Sequence, residues 1–238
     1  HGLHVSPAGN SDNVFLDVPP GTTQDYKIDL PADHPAGAFW YHAHRHGSVA
    51  GQVSSGMSGA IVVTGPIDAV PAVAAARERV WVLQQIPYFK DESMPQGEIE
   101  LTEAGNLFGP GDWAASGRFT TVNGVVLPVV TVCPGEVERW RIVDSGFRER
   151  IDLKLEKASG DGPATIDFHE IAADGIPLGK KVARAKLELW PGYRSEVLVK
   201  APDVPGEYLV VDDQVPVGAG INGNGKSRRY VARLVVAG

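Results

Sequence analysis

Apolar and polar residues alternate along most of this chain, and glycine, proline, asparagine and aspartate interrupt the alternation at short intervals. In Tyr26-Lys27-Ile28-Asp29-Leu30 the apolar side chains fall on one face and the charges on the other, and Ile151-Asp152-Leu153-Lys154-Leu155-Glu156 repeats the pattern. Successive side chains of a strand point to opposite faces, so a period of two marks strands with one face on a core. Residues 80–86, 137–143, 185–190, 196–199, 207–211 and 230–236 read the same way. The chain is therefore predicted to be all-β, with short strands and turns in the manner of a sandwich. Helix is expected only within 70–79, where alanine-rich sequence follows Gly65-Pro66 and forms a short helix or an ordered linker.

That stretch divides the chain into residues 1–65, a linker over 66–79, and residues 80–238. Two units suit a length of 238 residues at about 150 per domain. The first is short for a sandwich of about 100 residues, which predicts that some of its strands lie ahead of His1. Hydrophobic residues make up 43% of the chain and charged residues 21%, with no apolar run near the ~18 residues of a membrane helix. No membrane span is predicted. A net charge of -7 argues against nucleic acid as a partner and leaves small molecules, metals and proteins. The single cysteine excludes an internal disulfide framework.

Histidines gather in two places, His1 with His4, and His42-Ala43-His44-Arg45-His46 after the aromatic run Phe39-Trp40-Tyr41. On a strand, residues i and i+2 project to the same face about 7 Å apart, which sets His42 beside His44. Neutral imidazoles suit copper, zinc, iron and nickel, so the pair is a candidate metal site. The alternative is a pair of hydrogen-bonded surface histidines, and H-x-H alone does not choose between them.

Longer motifs do. His1-Gly2-Leu3 resembles the end of the first H-x-H-G copper motif of the multicopper oxidases, and Phe39-Trp40-Tyr41-His42-Ala43-His44 resembles the second. Gly51-Gln52 through Gly56-Met57-Ser58-Gly59-Ala60-Ile61-Val62-Val63 is similar to the segment that follows it. Val122-Asn123-Gly124, Pro134-Gly135-Glu136-Val137-Glu138-Arg139-Trp140-Arg141, Ala173-Asp174-Gly175 and Pro191-Gly192-Tyr193-Arg194 resemble landmarks of the middle domain in three-domain members.

The resemblance implies two cupredoxin-like Greek-key β-sandwich domains, laccase-like, without the domain that carries type 1 copper. It implies that His1, His42 and His44 are ligands of the type 3 copper pair in a trinuclear centre. His1 and His42 would serve one copper and His44 the other, with further ligands from a third cupredoxin domain or another subunit. The reaction implied is one-electron oxidation of a small phenolic or metal-ion donor, coupled to reduction of dioxygen to water, in the periplasm or outside the cell. A type 1 site needs cysteine between histidines, and Ala43 stands there, so the chain as given is expected to be inactive alone. Asp12 is either the proton-relaying acid of the family or a turn aspartate. Cys133, beside Pro134-Gly135, reads as a packed structural residue in a turn, and Met57 as core. His4 and His46 are expected to hydrogen-bond near the cluster or face solvent, and His34 and His169 to be structural. The alternative function is a non-catalytic copper-binding or interaction module of the same fold.

Overall fold

The computed structural model describes residues 1–89, 98–99, 117–146, 148–220, 223 and 225–238. The all-β prediction holds, and the strands beyond the linker lie close to where alternation puts them. A seven-stranded sheet runs in the order Ile176–Arg184, Phe168–Ala173, Arg194–Lys200, Val137–Asp144, Arg77–Ile86, Phe119–Val122, Val125–Val126. A second sheet runs Thr165–Ile166, Ile151–Gly160, Gly206–Asp212, Arg229–Val236, Val129–Val132, with Leu187–Leu189 also paired to Ile151–Gly160. Pairing in these two sheets is antiparallel, except that Arg77–Ile86 runs parallel to Val137–Asp144 and Arg229–Val236 parallel to Val129–Val132. Their facing side chains form one core in which Trp81 stacks on Trp140 at 4.4 Å, with Phe168, Tyr208 and Leu153 buried around them.

Strand Val137–Asp144 is buried on both faces. Trp140 and Ile142 enter the core. Arg139 and Arg141 point away from it, yet both are buried too. They meet Glu196 from the neighbouring strand and Asp68 from the linker, which forms a 3-10 turn over Pro66–Ala69 and a short helix over Pro71–Ala74. The following strand begins at Arg77, three residues earlier than expected.

Asp68 fastens the linker to the sheet. Its carboxylate accepts from the Gly65 N–H at 2.6 Å and from Arg139 and Arg141 at 2.5 and 2.6 Å. Burial alone would raise its pKa, but these donors more than offset burial and hold it below the ordinary carboxylate value. A depressed folded pKa contributes stability that is complete above the unfolded value near 4 and is lost as pH falls through the folded one. Asp68→Asn is thus expected to cost about 1–2 kcal/mol at pH 7, a difference from the parent chain that shrinks below about pH 4. Urea midpoints of the two proteins across that range check it.

Ahead of the linker, Gly37–His42 pairs with Ser58–Val63 in a two-stranded antiparallel sheet, with helix Val49–Ser54 between them. This hairpin packs on the outer side of the larger sheet, against strands Arg194–Lys200 and Val137–Asp144. Residues 1–36 carry no regular secondary structure. Tyr26–Leu30 therefore departs from the expectation of a strand. Alternation prepares a segment for a ladder, but a ladder needs a neighbouring backbone, and Tyr26, Ile28 and Leu30 all remain exposed.

Candidate metal centre

The strand Gly37–His42 divides its side chains between two surfaces. Trp40 and His42 share one of them. The indole is buried, and the His42 ring stacks on it with centroids 4.3 Å apart and planes at 27°. Tyr41, on the other face, is exposed and lies over Gly59, its partner across the ladder, where a Cβ would fall 2.5 Å from the tyrosine hydroxyl. Just past the strand, the His44 ring stands 5.3 Å from that of His42, side by side as the i, i+2 spacing predicts.

His1 reaches the same place from the other end of the first unit. Its ring lies 5.8 Å from His42 and 5.1 Å from Trp40, and its backbone nitrogen donates to the Trp40 carbonyl at 2.6 Å. The structure thus brings His1, His42 and His44 into a row, with Trp40 packed against the first two. Among the described residues, no three or more His, Cys, Asp or Glu side chains converge closely enough to enclose one ion.

The His42 ring is held in one orientation. Its Nδ1 sits 3.0 Å from the Ala43 carbonyl, which can only accept, so Nδ1 carries the proton and Nε2 keeps a free lone pair. A partner on the second ring nitrogen is the usual way a ligating imidazole is oriented. Burial is the largest influence on His42 and holds its pKa below the ordinary imidazole value. His44 and the His1 nitrogen act in the same direction, against the Ala43 carbonyl and Asp12. Asp12 itself is exposed, with its backbone N–H on the Ser6 carbonyl at 3.0 Å. Its charge reaches His42 and the His1 nitrogen and favours their protonated forms.

The back of this site comes from the second unit. Gly192 lies so close to His1 that a Cβ there would be 3.4 Å from the imidazole and 3.7 Å from Trp40. Gly175 sits under Phe39, where a Cβ would fall 2.5 Å from the ring. Its φ of +80° is also one that L side chains rarely adopt. Between these two glycines the buried guanidinium of Arg194 donates to Ala38, Gly192 and Asp174 carbonyls.

The other histidines fall outside the row. The His4 N–H donates to His34 Nε2 at 3.1 Å, while His34 Nδ1 faces the Pro35 carbonyl at 2.8 Å, so both His34 nitrogens are engaged by the backbone. His46 is exposed, and His169 is half-buried in strand Phe168–Ala173. Two expectations about burial fail. Met57 is 54% exposed instead of core. Cys133 does lie in the turn before Val137–Asp144, but it is exposed, not packed, because the turn carries it off the sheet.

Residues 1–67 match the family model of multicopper oxidases. Across 229 residues the chain is 27% identical to a laccase of Haloferax volcanii, covering 92% of this chain and 37% of the laccase. It is 25% identical over 243 residues to the multicopper oxidase mco of Staphylococcus haemolyticus, covering 95% and 46%. The McoA multicopper oxidase of Aquifex aeolicus superposes on the whole chain and on 49% of its own length, with a TM-score of 0.76 at 20% identity, which shows a shared fold. Multicopper oxidases are thus what residues 1–67 match as a family and what the chain is similar to over most of its length. The chain spans less than half the length of these relatives.

The multicopper oxidase match ends at residue 67, so the segment recognised by the family model is the one that holds the row of histidines. Reading the sequence missed the roles of Trp40, Gly192 and Arg194. Two of them lie in Pro191-Gly192-Tyr193-Arg194, a motif visible in the sequence, but nothing local says that it packs against a histidine about 190 positions away.

Proposed function

We propose that this chain supplies His1, His42 and His44 to the copper centre of a copper-dependent oxidase, as ligands of a type 3 pair within a trinuclear cluster. Ligands from a third cupredoxin domain or another subunit complete it. The observation that carries this reading is the row of three imidazoles, with His42 held in the tautomer that presents Nε2. Copper bound there supplies the electron transfer that reduces dioxygen to water at the expense of a small phenolic or metal-ion donor.

The chain's own residues hold and orient. Ala43 fixes the His42 ring, Trp40 backs it and takes the His1 nitrogen, and Asp12, whose charge reaches the row, is assigned the proton relay by family resemblance. By family resemblance the whole protein works in the periplasm or outside the cell. No helix among the described residues is long and apolar enough to cross a membrane. The second reading, a non-catalytic copper-binding module, draws on Cys133. The one cysteine of the chain stands exposed in a turn beyond strand Val129–Val132, and Ala43 occupies the place between His42 and His44.

Copper titration of the chain, followed by electron paramagnetic resonance, tests the proposal. Loose binding with imidazole nitrogen coupling and a pale colour is expected, and a spectrum without such coupling would sink it. Turnover by the natural full-length protein then separates oxidase from module. Imidazole must be neutral to bind, and the lowered pKa of His42 extends its neutral range downward. Uptake is therefore expected to fall with a midpoint below about pH 6.5, the unperturbed value. Loss of uptake already above that pH would contradict the assignment of His42.

A further inference from the structure

Arg194 is a buried cation with an unusual set of partners. Its Nε donates to the Ala38 carbonyl at 3.2 Å, Nη1 to Gly192 at 2.9 Å, and Nη2 to Asp174 at 2.8 Å. Among the described residues the one carboxylate paired with it, Asp174, is 3.3 Å from Nη1 and half exposed. The guanidinium also lies 5.8 Å from the Phe39 ring, and a Cβ on Gly2 would fall 2.5 Å from Nη2. Three carbonyls from three separate segments thus converge on one planar fork. A lysine, with its donors on a single nitrogen, does not reproduce that geometry.

Each of those segments leads to the histidines. Ala38 lies in the strand that continues through Trp40 to His42, and the Trp40 carbonyl takes the His1 nitrogen. Gly192 walls the His1 imidazole. Asp174 belongs to the turn that puts Gly175 under Phe39, and its carboxylate accepts from the Arg194 N–H at 3.0 Å. Burying a cation mainly against neutral carbonyls favours a defined geometry over raw stability, since an apolar residue of similar size fills space at lower desolvation cost.

We propose that Arg194 is a positioning residue, which sets His1 and His42 at the spacing needed to receive copper by tying the histidine strand to two loops of the second unit. This rests on the reading that those histidines take copper.

The test compares the chain with Arg194→Gln, Arg194→Lys and Leu155→Ala. Leu155 is buried in the second sheet, and its loss destabilises the fold without touching the site. Copper affinity and the nitrogen coupling in the resonance spectrum are read well below the unfolding temperature of each variant. Both Arg194 variants are expected to lose about tenfold or more in affinity, as losses around metal ligands commonly do, and to show fewer coupled nitrogens. Leu155→Ala keeps the parent spectrum. If Arg194→Gln does not fold, Arg194→Lys decides, because it keeps the buried charge and loses only the fork. Parent-like affinity and coupling in the Arg194 variants, or the same spectral change in Leu155→Ala, overturns the proposal while the copper reading stands. A parent chain without nitrogen-coupled copper overturns both.

Discussion

Glu196→Ala is expected to lower the stability of the chain by about 3–5 kcal/mol, the usual cost of removing one partner from a buried ion network. Glu196 is 1% exposed and accepts from Arg139 Nε and Nη2 at 3.1 and 2.5 Å and from Arg141 Nη1 at 2.9 Å. It sits directly opposite Arg141 across the ladder, so the two cannot separate without breaking strand pairing. The partners left to the two guanidinium groups, Asp68 and Glu78, lie at the more exposed rim. A domain of this size shifts its melting temperature by about 2–4 °C per kcal/mol, so the midpoint should fall by roughly 10 °C. Arg228→Ala, which breaks a solvent-exposed pair with Glu156, should cost less than about 1 kcal/mol. Urea and thermal denaturation of both variants give the comparison, and equal small losses would show that the Glu196 network contributes no more than an exposed pair.

Replacing His42 and His44 together with alanine is expected to remove most specific copper uptake, a loss of tenfold or more, while the fold survives. The row then retains only His1. Packing losses are small because His44 is exposed past the end of its strand, and His42 contributes mainly one stacked contact with Trp40, worth about 0.5–1.5 kcal/mol. His46→Ala, at an exposed position outside the row, should bind as the parent does. Equilibrium dialysis with metal analysis, alongside circular dichroism, reads both effects. Undiminished uptake in the double variant would refute the ligand assignment. So would an intense blue band from the chain alone, which requires a thiolate grouped with histidines, and among the described residues Cys133 belongs to no such group.

Much of this was legible along the chain. Alternation located strands Ile151–Gly160, Arg194–Lys200, Gly206–Asp212 and Arg229–Val236 to within a few residues at most ends, because half-buried strands write their two faces into the sequence. It erred at Tyr26–Leu30, where the pattern is correct but no neighbouring backbone forms a ladder with it. It misjudged Met57 and Cys133 because a single apolar letter beside a turn does not say which way the turn carries it.

The sequence by itself determined the β architecture and the adjacency of His42 and His44, since each follows from spacing along one stretch of backbone. Only the tertiary structure decided that His1 joins them, that Trp40 stacks behind, and that Arg194 and Gly192 close the site from the second unit. The same holds for Arg139 and Arg141, which the sequence marks as a strand's polar face and the fold buries beneath Asp68. The physical reason is one of range. Side-chain direction is set within two residues of a strand, whereas burial and partnership depend on which distant segment is packed on top.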